Sequence, residues 1–189
     1  MKTLLFWSGG KDSLLARHYL DLSSDEVILL TTYDEEEAIV PHQQIPLKVI
    51  QRQAVAFGHM STVVPLPDPC PNTIYLERVV AAISALPWQI NTLVFGDWKN
   101  REIRTWREKV LEKRGFNLRF PIWDRPIDEL LTTLQQLPGR IVIQAVQPEW
   151  NDSIEISAEY NREFVRQLPE GVDPMGENGE FHTCVVPGQ

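Results

Sequence analysis

Six consecutive residues near the start of the chain have the composition of an anion-binding loop: Ser8-Gly9-Gly10-Lys11-Asp12-Ser13. A short apolar run precedes them and helical apolar spacing follows, so the loop is expected to join a strand to a helix. Backbone N–H groups and the positive helix end bind anions at such a junction, and glycines let the backbone approach phosphate oxygens. A lysine at a helix start is unfavourable unless an anion is bound there. The loop therefore predicts a phosphate site, and a capped, solvated turn is the alternative.

Gly96 and Asp97 form a second candidate group, because they directly follow a predicted strand at 92–95. In parallel sheets, ligands bind beyond the carboxyl ends of the strands, so a carboxylate at this point can face a bound phosphate. Mg²⁺ prefers one or two carboxylates together with phosphate oxygens and water. We therefore predict that Asp97 holds Mg²⁺ and that Asp12 shares it. The alternatives are that Asp97 caps the next helix and that Asp12 only favours the positive helix end.

A third group lies in the last part of the chain, where Glu177, Glu180 and His182 surround Gly176 and Gly179. In an extended segment, Glu180 and His182 share one face. Such a cluster can orient an ammonium ion, an amine or an acyl group, with His182 or a carboxylate as the base. A solvated acidic turn with a packed histidine is the alternative.

Two further residues are less specific. Arg104 lies four residues before Glu108 on a predicted helix. It forms either a weak surface pair or a bidentate contact with a phosphate or a carboxylate. His42 lies in an acidic loop and is interpreted as incidental to function.

The elements that must position these residues alternate along the chain as strand-like apolar runs and helix-like segments. Strands are predicted at 4–7, 27–33, 61–66, 92–95 and 141–146, within 116–123 and from 184 onward, and the strand at 141–146 is predicted to be the last parallel one. Helices are predicted at 11–22, 46–58, 74–86, 101–114, 126–136 and 158–167. Continuous apolar strands separated by helices indicate a mainly parallel sheet of five strands covered on both faces, a three-layer α/β sandwich. We predict a single domain over residues 1–189, with a core at about 1–146 and a short irregular C-terminal extension at about 147–189.

Composition restricts the classes of partner. The net charge of −8 disfavours a nucleic-acid-binding protein, which is usually basic. No apolar run reaches the length of about 18 residues that a membrane helix needs, and the N-terminal run reads as a first strand rather than a signal peptide. Two cysteines far apart fit a reducing compartment, so we predict a cytoplasmic protein.

The six-residue loop resembles the SGGxDS PP-loop of the ATP pyrophosphatase superfamily, and its spacing differs from that of a Walker A loop. Three further segments, 95–108, 120–123 and 168–183, resemble the diphthine–ammonia ligase family, in particular its short bacterial branch. The most specific piece is Gly176-Glu-Asn-Gly-Glu-Phe-His-Thr183.

This resemblance implies a HUP/Rossmann-like fold and an ATP-dependent, Mg²⁺-assisted carbon–nitrogen ligase. A substrate carboxylate would attack the α-phosphate of ATP, pyrophosphate would leave, and ammonia or another amine would displace AMP. The acyl substrate is unknown, with a modified protein side chain as one option, and a homodimer stays open. The alternatives are a tRNA-modifying PP-loop enzyme and a non-catalytic nucleotide-binding module.

The resemblance also implies roles for individual residues, with the C-terminal extension completing the substrate pocket. Nucleotide contacts are expected from Ser8, Gly9, Gly10, Lys11, Asp12, Ser13, Thr32, Tyr33, Gly96 and Arg104. Catalytic roles are expected for Lys11, Asp97, Glu177, Glu180 and His182, and substrate contacts for Gly176, Glu177, Gly179, Glu180 and Thr183. Ordinary sheet packing is the alternative for Thr32 and Tyr33.

Overall fold

The computed structural model describes residues 2–188. Its strands are β1 (Lys2–Phe6), β2 (Val27–Asp34), β3 (Ile39–Val40), β4 (Ile45–Pro46), β5 (Met60–Leu66), β6 (Ile90–Val94), β7 (Asn117–Arg119), β8 (Arg140–Val146) and β9 (Phe181–Val186). Its helices are α1 (Lys11–His18), α2 (Leu47–Ala56), α3 (Asn72–Ser84), α4 (Arg101–Leu111), α5 (Ile127–Gln136) and α6 (Arg162–Gln167). No helix in this part of the chain is long and apolar enough to cross a membrane.

The central sheet contains five parallel strands in the order β5-β2-β1-β6-β7. Leu4 and Leu5 are adjacent on β1 and both are 0% exposed, which requires cover on both faces because successive strand residues point to opposite sides. Leu5 packs with residues of α1, α2 and α5, whereas Leu4 packs with residues of α3 and α4. The prediction of a three-layer α/β fold with a parallel sheet is confirmed.

The strand order places a topological switch point at β1. From this central strand the sheet continues to β2 and β5 on one side and to β6 and β7 on the other. The carboxyl ends of β1, β2 and β6 therefore lie side by side, with Leu5 opposite both Leu29 and Val94. Ligands of such sheets bind at this position.

The prediction of a parallel strand at 141–146 is wrong. β8 pairs with β9 in a separate antiparallel sheet of two strands, in which Ile141 lies opposite Val185. The fifth strand of the parallel sheet is instead β7, from the short strand expected within 116–123. Because the β8–β9 sheet joins the core on the α1 side, its strands carry the continuous apolar character that also marks a central parallel strand.

Two smaller corrections concern the C-terminal part. The terminal strand begins at Phe181, earlier than the predicted 184, so its first residues belong to the candidate site. The last helix starts at Arg162 rather than 158, with Asn161 as the N-terminal cap that accepts from the amide of Phe164. The extension is therefore partly regular, since β9 returns to pair with β8.

Candidate active site

The loop after β1 is held tightly by its own chain. Gly9 has φ of +82°, and a Cβ atom there would lie 2.5 Å from Cδ1 of Ile50. A Cβ atom on Gly10 would lie 2.9 Å from the carbonyl oxygen of Thr183. These two glycines are therefore required by the packing of the loop against α2 and β9.

Strand β9 also bonds directly to this loop. The amide of Val185 donates to the carbonyl of Gly9 at 2.8 Å, and the amide of Lys11 donates to Oγ1 of Thr183 at 3.0 Å. Gln53 of α2, which is fully buried, donates to the carbonyls of both Gly9 and Val185 at 3.1 and 2.7 Å. The loop conformation thus depends on residues 172 positions away along the chain.

Lys11 is buried, with only 2% of its surface exposed, so the alternative of a solvated lysine is wrong. Its ammonium group donates to the carbonyl of Met175 and to Oδ2 of Asp12 at 2.9 Å. It also lies 5.5 Å from the ring centroid of Tyr160. Lys11 therefore ties the loop to the C-terminal tail as well as presenting a charge at the site.

Two adjoining cavities open over the loop, one of about 760 Å³ and one of about 160 Å³. We call them the large cavity and the small cavity. Their shared wall identifies the boundary between them, because six residues line both: Ser8, Asp12, Gln43, Gly96, Asp97 and Ile103.

The large cavity extends over the ends of the central strands. Its wall includes Trp7 after β1, Thr32 of β2 and Ser13 of α1, together with Tyr75 of α3 and Trp106 of α4. A cavity of this volume, with aromatic walls and a few polar groups, suits a ligand the size of a nucleotide.

The small cavity is lined by residues from the N-terminal and the C-terminal parts of the chain. Beyond the shared wall it is lined by predicted site residues from the loop and from the tail: Gly10, Lys11, Gly176, Glu177, His182 and Thr183. The fold thus brings the SGGKDS loop, the end of β6 and the C-terminal tail together.

Glu177 and His182 have strongly shifted pKa values in this cavity. Burial, with a further contribution from the Asp12 carboxylate, raises the pKa of Glu177 to about 7, and its Oε2 accepts from the amide of Lys99 at 3.3 Å. Burial, followed by the nearby His42 and Lys11, lowers the pKa of His182 to about 4. The ring of His42 lies 6.1 Å from that of His182.

Asp12 and Asp97 face the boundary between the cavities. Oδ1 of Asp12 is buried and finds no hydrogen-bond partner within residues 2–188. Burial raises the pKa of Asp97, although the neighbouring Arg107 acts in the opposite direction. The helix cap that was the alternative role for Asp97 is supplied by Asn100, which accepts from the amide of Ile103 at 3.1 Å.

These two carboxylates fit the limited ligand set that Mg²⁺ requires from a protein when phosphate oxygens supply the rest. The unpartnered oxygen of Asp12 is an available ligand. No three His, Cys, Asp or Glu side chains converge as a metal site in the described chain. Mg²⁺ would therefore depend on a ligand such as ATP for the remainder of its coordination.

Several predicted site residues lie outside both cavities. Arg104 stacks on the rings of Phe120 and Trp123, at 4.7 and 4.5 Å from their centroids, and pairs with Glu108. Tyr33 alternates away from Thr32 along β2, so only Thr32 lines the large cavity.

Glu180 is also turned away from the cavities and is only 4% exposed. Its carboxylate accepts from the amides of Asp173 and Asn178 and from the side-chain amide of Asn178. Burial acts to raise the pKa of Glu180, but these hydrogen bonds outweigh it and lower the pKa. Gly179 lies against the side chain of Gln147. Both residues therefore shape the tail that presents Glu177.

Four residues of the site were missed or discounted in the sequence. Arg107 lines the large cavity one turn after Arg104, and Gln43 lines both cavities. His42 lines the large cavity, and the buried Gln53 supports the loop. The spacing of arginines on α4 could have indicated Arg107 as an alternative to Arg104, whereas nothing local to Gln43 or Gln53 signals their positions.

A parallel α/β sheet with an SGGxDS loop at the switch point, facing a carboxylate at the end of the next strand, defines the class of PP-loop ATPases. Within this class, a family model of the diphthamide synthase N-terminal domain matches residues 1–118. The match spans more than half of the chain, and the chain belongs to this family. No curated protein matches it. The tail residues 176–183 lie beyond the matched part.

Proposed function

We propose that the protein is an ATP-dependent amide-forming ligase that converts ATP into AMP and pyrophosphate. The observation that carries this proposal is the shared wall of the two cavities. Ser8, Asp12 and Asp97 line both cavities, so a nucleotide in the large cavity would present its phosphates to the small one.

In this proposal, ATP binds with its adenosine in the large cavity near Thr32 and its phosphates on the loop at Ser8–Ser13. A substrate carboxylate oxygen forms a bond to the α-phosphorus, and the bond to the bridging oxygen breaks, so pyrophosphate leaves. Mg²⁺, held by Asp12 and Asp97, would neutralise phosphate charge during this step. The product is an acyl adenylate at the cavity boundary.

The second step takes place beside Glu177 and His182. An amine nitrogen bonds to the acyl carbon, the carbon–oxygen bond to AMP breaks, and the nitrogen gives up one proton to a base. Ionised Glu177 and neutral His182 are both able to accept this proton, given their shifted pKa values. The small cavity of about 160 Å³ favours ammonia over a bulky amine as the nucleophile.

The test incubates the full chain with ATP, Mg²⁺, ammonium chloride and a panel of carboxylic acids labelled with ¹⁸O. We expect at least one acid to stimulate formation of AMP, and the label to appear in the phosphate of AMP because the carboxylate oxygen attacks the α-phosphorus. AMP without label would contradict an acyl adenylate.

The two rival functions give different results in the same assay. A non-catalytic nucleotide-binding module would bind ATP and leave it intact with every acid. A tRNA-modifying enzyme would form AMP only when tRNA is added, although the net charge of −8 argues against this.

A further inference from the structure

Arg107 occupies a position in the site that no sequence prediction gave it. It lines the large cavity, and its guanidinium group stacks over the ring of Phe95 at 4.0 Å. Its side chain is 17% exposed, so it is largely removed from bulk water. A largely buried guanidinium in a cavity wall is suited to bind an anion.

The partner of Arg107 in the structure is Asp97, but the two groups are poorly aligned. Nε of Arg107 lies 2.9 Å from Oδ2 of Asp97, yet both atoms are buried without a hydrogen bond to any described residue. Their one hydrogen bond, from Nη2 to Oδ1, is long at 3.3 Å. A well-formed arginine–carboxylate pair makes two parallel hydrogen bonds of about 2.7–2.9 Å. The pair is therefore close in space but leaves hydrogen-bonding capacity on both sides unused.

The charges around this pair are also unbalanced. Asp12 and Asp97 line the same two cavities, and the guanidinium group of Arg107 lies beside the Asp97 carboxylate. Arg107 thus offsets some of the repulsion between two carboxylates that line the same cavities. A divalent cation between Asp12 and Asp97 would neutralise both carboxylates with its two positive charges, so Arg107 would no longer be required to reduce their repulsion.

We propose that Arg107 binds a phosphate of ATP and that it exchanges partners to do so: it pairs with Asp97 in the free protein and turns to ATP when Mg²⁺ engages Asp97. This inference rests on the proposed function, since it takes ATP and Mg²⁺ as ligands of the same site. Ser8, Asp12 and Ser13 of the loop line the same cavity as Arg107. The planar fork of a guanidinium matches the geometry of phosphate oxygens.

The experiment measures ATP affinity by calorimetry for the full chain, in EDTA and in excess Mg²⁺. In excess Mg²⁺, Arg107→Gln should weaken binding about tenfold or more, because it removes a charge-assisted contact. In EDTA it should weaken binding less, because Arg107 stays paired with Asp97 there. Arg101→Gln is the matched control: Arg101 is exposed, belongs to the same helix and lies outside both cavities, so its change should alter affinity less than about twofold.

Asp97→Asn gives the sharper test, because the partner exchange predicts that its effect on ATP affinity has opposite signs in EDTA and in Mg²⁺. In EDTA it should strengthen ATP binding about fivefold or more, since Arg107 is released and one negative charge is removed. In Mg²⁺ it should weaken binding, because a metal ligand is lost. Loss of repulsion alone would also strengthen binding in EDTA, so the double variant Asp97→Asn/Arg107→Gln separates the causes. Most of the gain should disappear in the double variant.

Two results would overturn the inference. One is an Arg107→Gln variant that binds ATP in excess Mg²⁺ as tightly as Arg101→Gln does, and the other is a gain in ATP affinity from Asp97→Asn in EDTA that is equally large when Arg107 is replaced. Thermal unfolding of each variant shows whether it is folded. If Arg107→Gln is unfolded, Arg107→Lys keeps the charge and loses the fork, and should still bind more weakly than the parent.

The failure of this inference can be told apart from the failure of the proposed function. A parent chain that binds no ATP would contradict both, whereas a chain that forms AMP and whose ATP affinity does not change when Arg107 is replaced would contradict this inference alone.

Discussion

At the scale of single residues, two titratable groups that line the small cavity, Glu177 and His182, have pKa values shifted in opposite directions, so that their usual order is reversed. Burial favours the uncharged form of each group, so the pKa of Glu177 rises to about 7 while that of His182 falls to about 4. His182 is therefore neutral at pH 7, and Glu177 is close to half ionised. Such separation is typical of groups that exchange protons with a substrate.

Glu177 predicts a pH dependence of stability. In the unfolded chain a glutamate ionises near pH 4.5, whereas the folded pKa is about 7, so the unfolded state binds fewer protons between these values. Stability therefore falls as the pH rises from 4.5 to 7. Glu177→Gln removes this loss. The free energy of unfolding of the variant minus that of the parent should therefore increase by about 1–2 kcal/mol from pH 5 to pH 8, after allowance for solvent screening. Urea unfolding at the two pH values measures it.

The control for this change is Glu170→Gln, which removes one charge at an exposed position outside the cavities. Its difference from the parent should be the same at both pH values. A Glu177→Gln variant that behaves like this control would contradict the environment assigned to Glu177.

His182 gives a prediction by NMR. Titration of its imidazole C–H signals should show a pKa of about 4, well below the ordinary 6.5. The unfolded chain protonates first, so this histidine lowers stability as the pH falls from 6.5 towards 4. His42→Gln should raise the pKa of His182 while leaving it below 6.5, because burial is the larger cause. A parent pKa at or above 6.5 would show that the ring is solvated.

At the scale of elements, the site depends on β9, which lines the small cavity and holds the phosphate loop at once. Gln53 connects three elements, because it accepts from Nε1 of Trp7 at 2.8 Å and donates to Gly9 and Val185. The loop, α2 and β9 are therefore expected to move and unfold together.

Replacing Gln53 tests this connection. Gln53→Leu leaves Nε1 of Trp7 and a main-chain carbonyl without these partners in the core, which should lower the free energy of unfolding by about 2–4 kcal/mol. Gln51→Leu is the control on the same helix, since Gln51 is exposed, and should change stability by about 0.5 kcal/mol or less. Equal changes in the free energy of unfolding for the two variants, measured by urea unfolding, would contradict the role of Gln53 in connecting these elements.

The elements also show what the sequence could predict. The sequence predicts that Asp97 faces the loop, because Asp97 follows a strand and the carboxyl ends of parallel strands lie at the same edge of the sheet. The sequence could not predict that β8 pairs with an antiparallel strand, because a short apolar run looks the same whether its neighbouring strand is parallel or antiparallel. The spacing of arginines on α4 indicated Arg104 and Arg107 as alternatives but did not show which of them lines the cavity. One turn of a helix decides which arginine faces the cavity, and that depends on the packing of α4 against Phe95 and Phe120.

At the scale of the whole molecule, the residues beyond the family match complete the fold around the site. Leu130 of α5, Ile143 of β8 and Phe181 of β9 belong to the core cluster that covers Leu5 and Leu15. The C-terminal tail had been predicted to complete the substrate pocket, and its contacts with the loop support this proposal. In the sequence, only the family resemblance predicts that the tail contributes to the pocket. The residue types alone favour a solvated acidic turn and do not show that a carboxylate such as Glu180 is buried.

A truncated chain tests this dependence. A version ending at Arg119 keeps all five strands of the parallel sheet but exposes the apolar face that α5, β8 and β9 cover. We expect no cooperative thermal transition and no ATP binding, because the loop also loses its bonds to Thr183 and Val185. A cooperative transition with ATP affinity equal to that of the full chain would show that the C-terminal part is dispensable.

The central claim is that the site cleaves ATP between the α- and β-phosphates. Phosphorus NMR of the full chain with ATP, Mg²⁺, ammonium chloride and the acid that best stimulates turnover identifies the products directly. The account predicts AMP and pyrophosphate in equal amounts, because attack occurs at the α-phosphorus on the boundary of the two cavities. ADP and inorganic phosphate would contradict it, since they would place the attack at the γ-phosphorus.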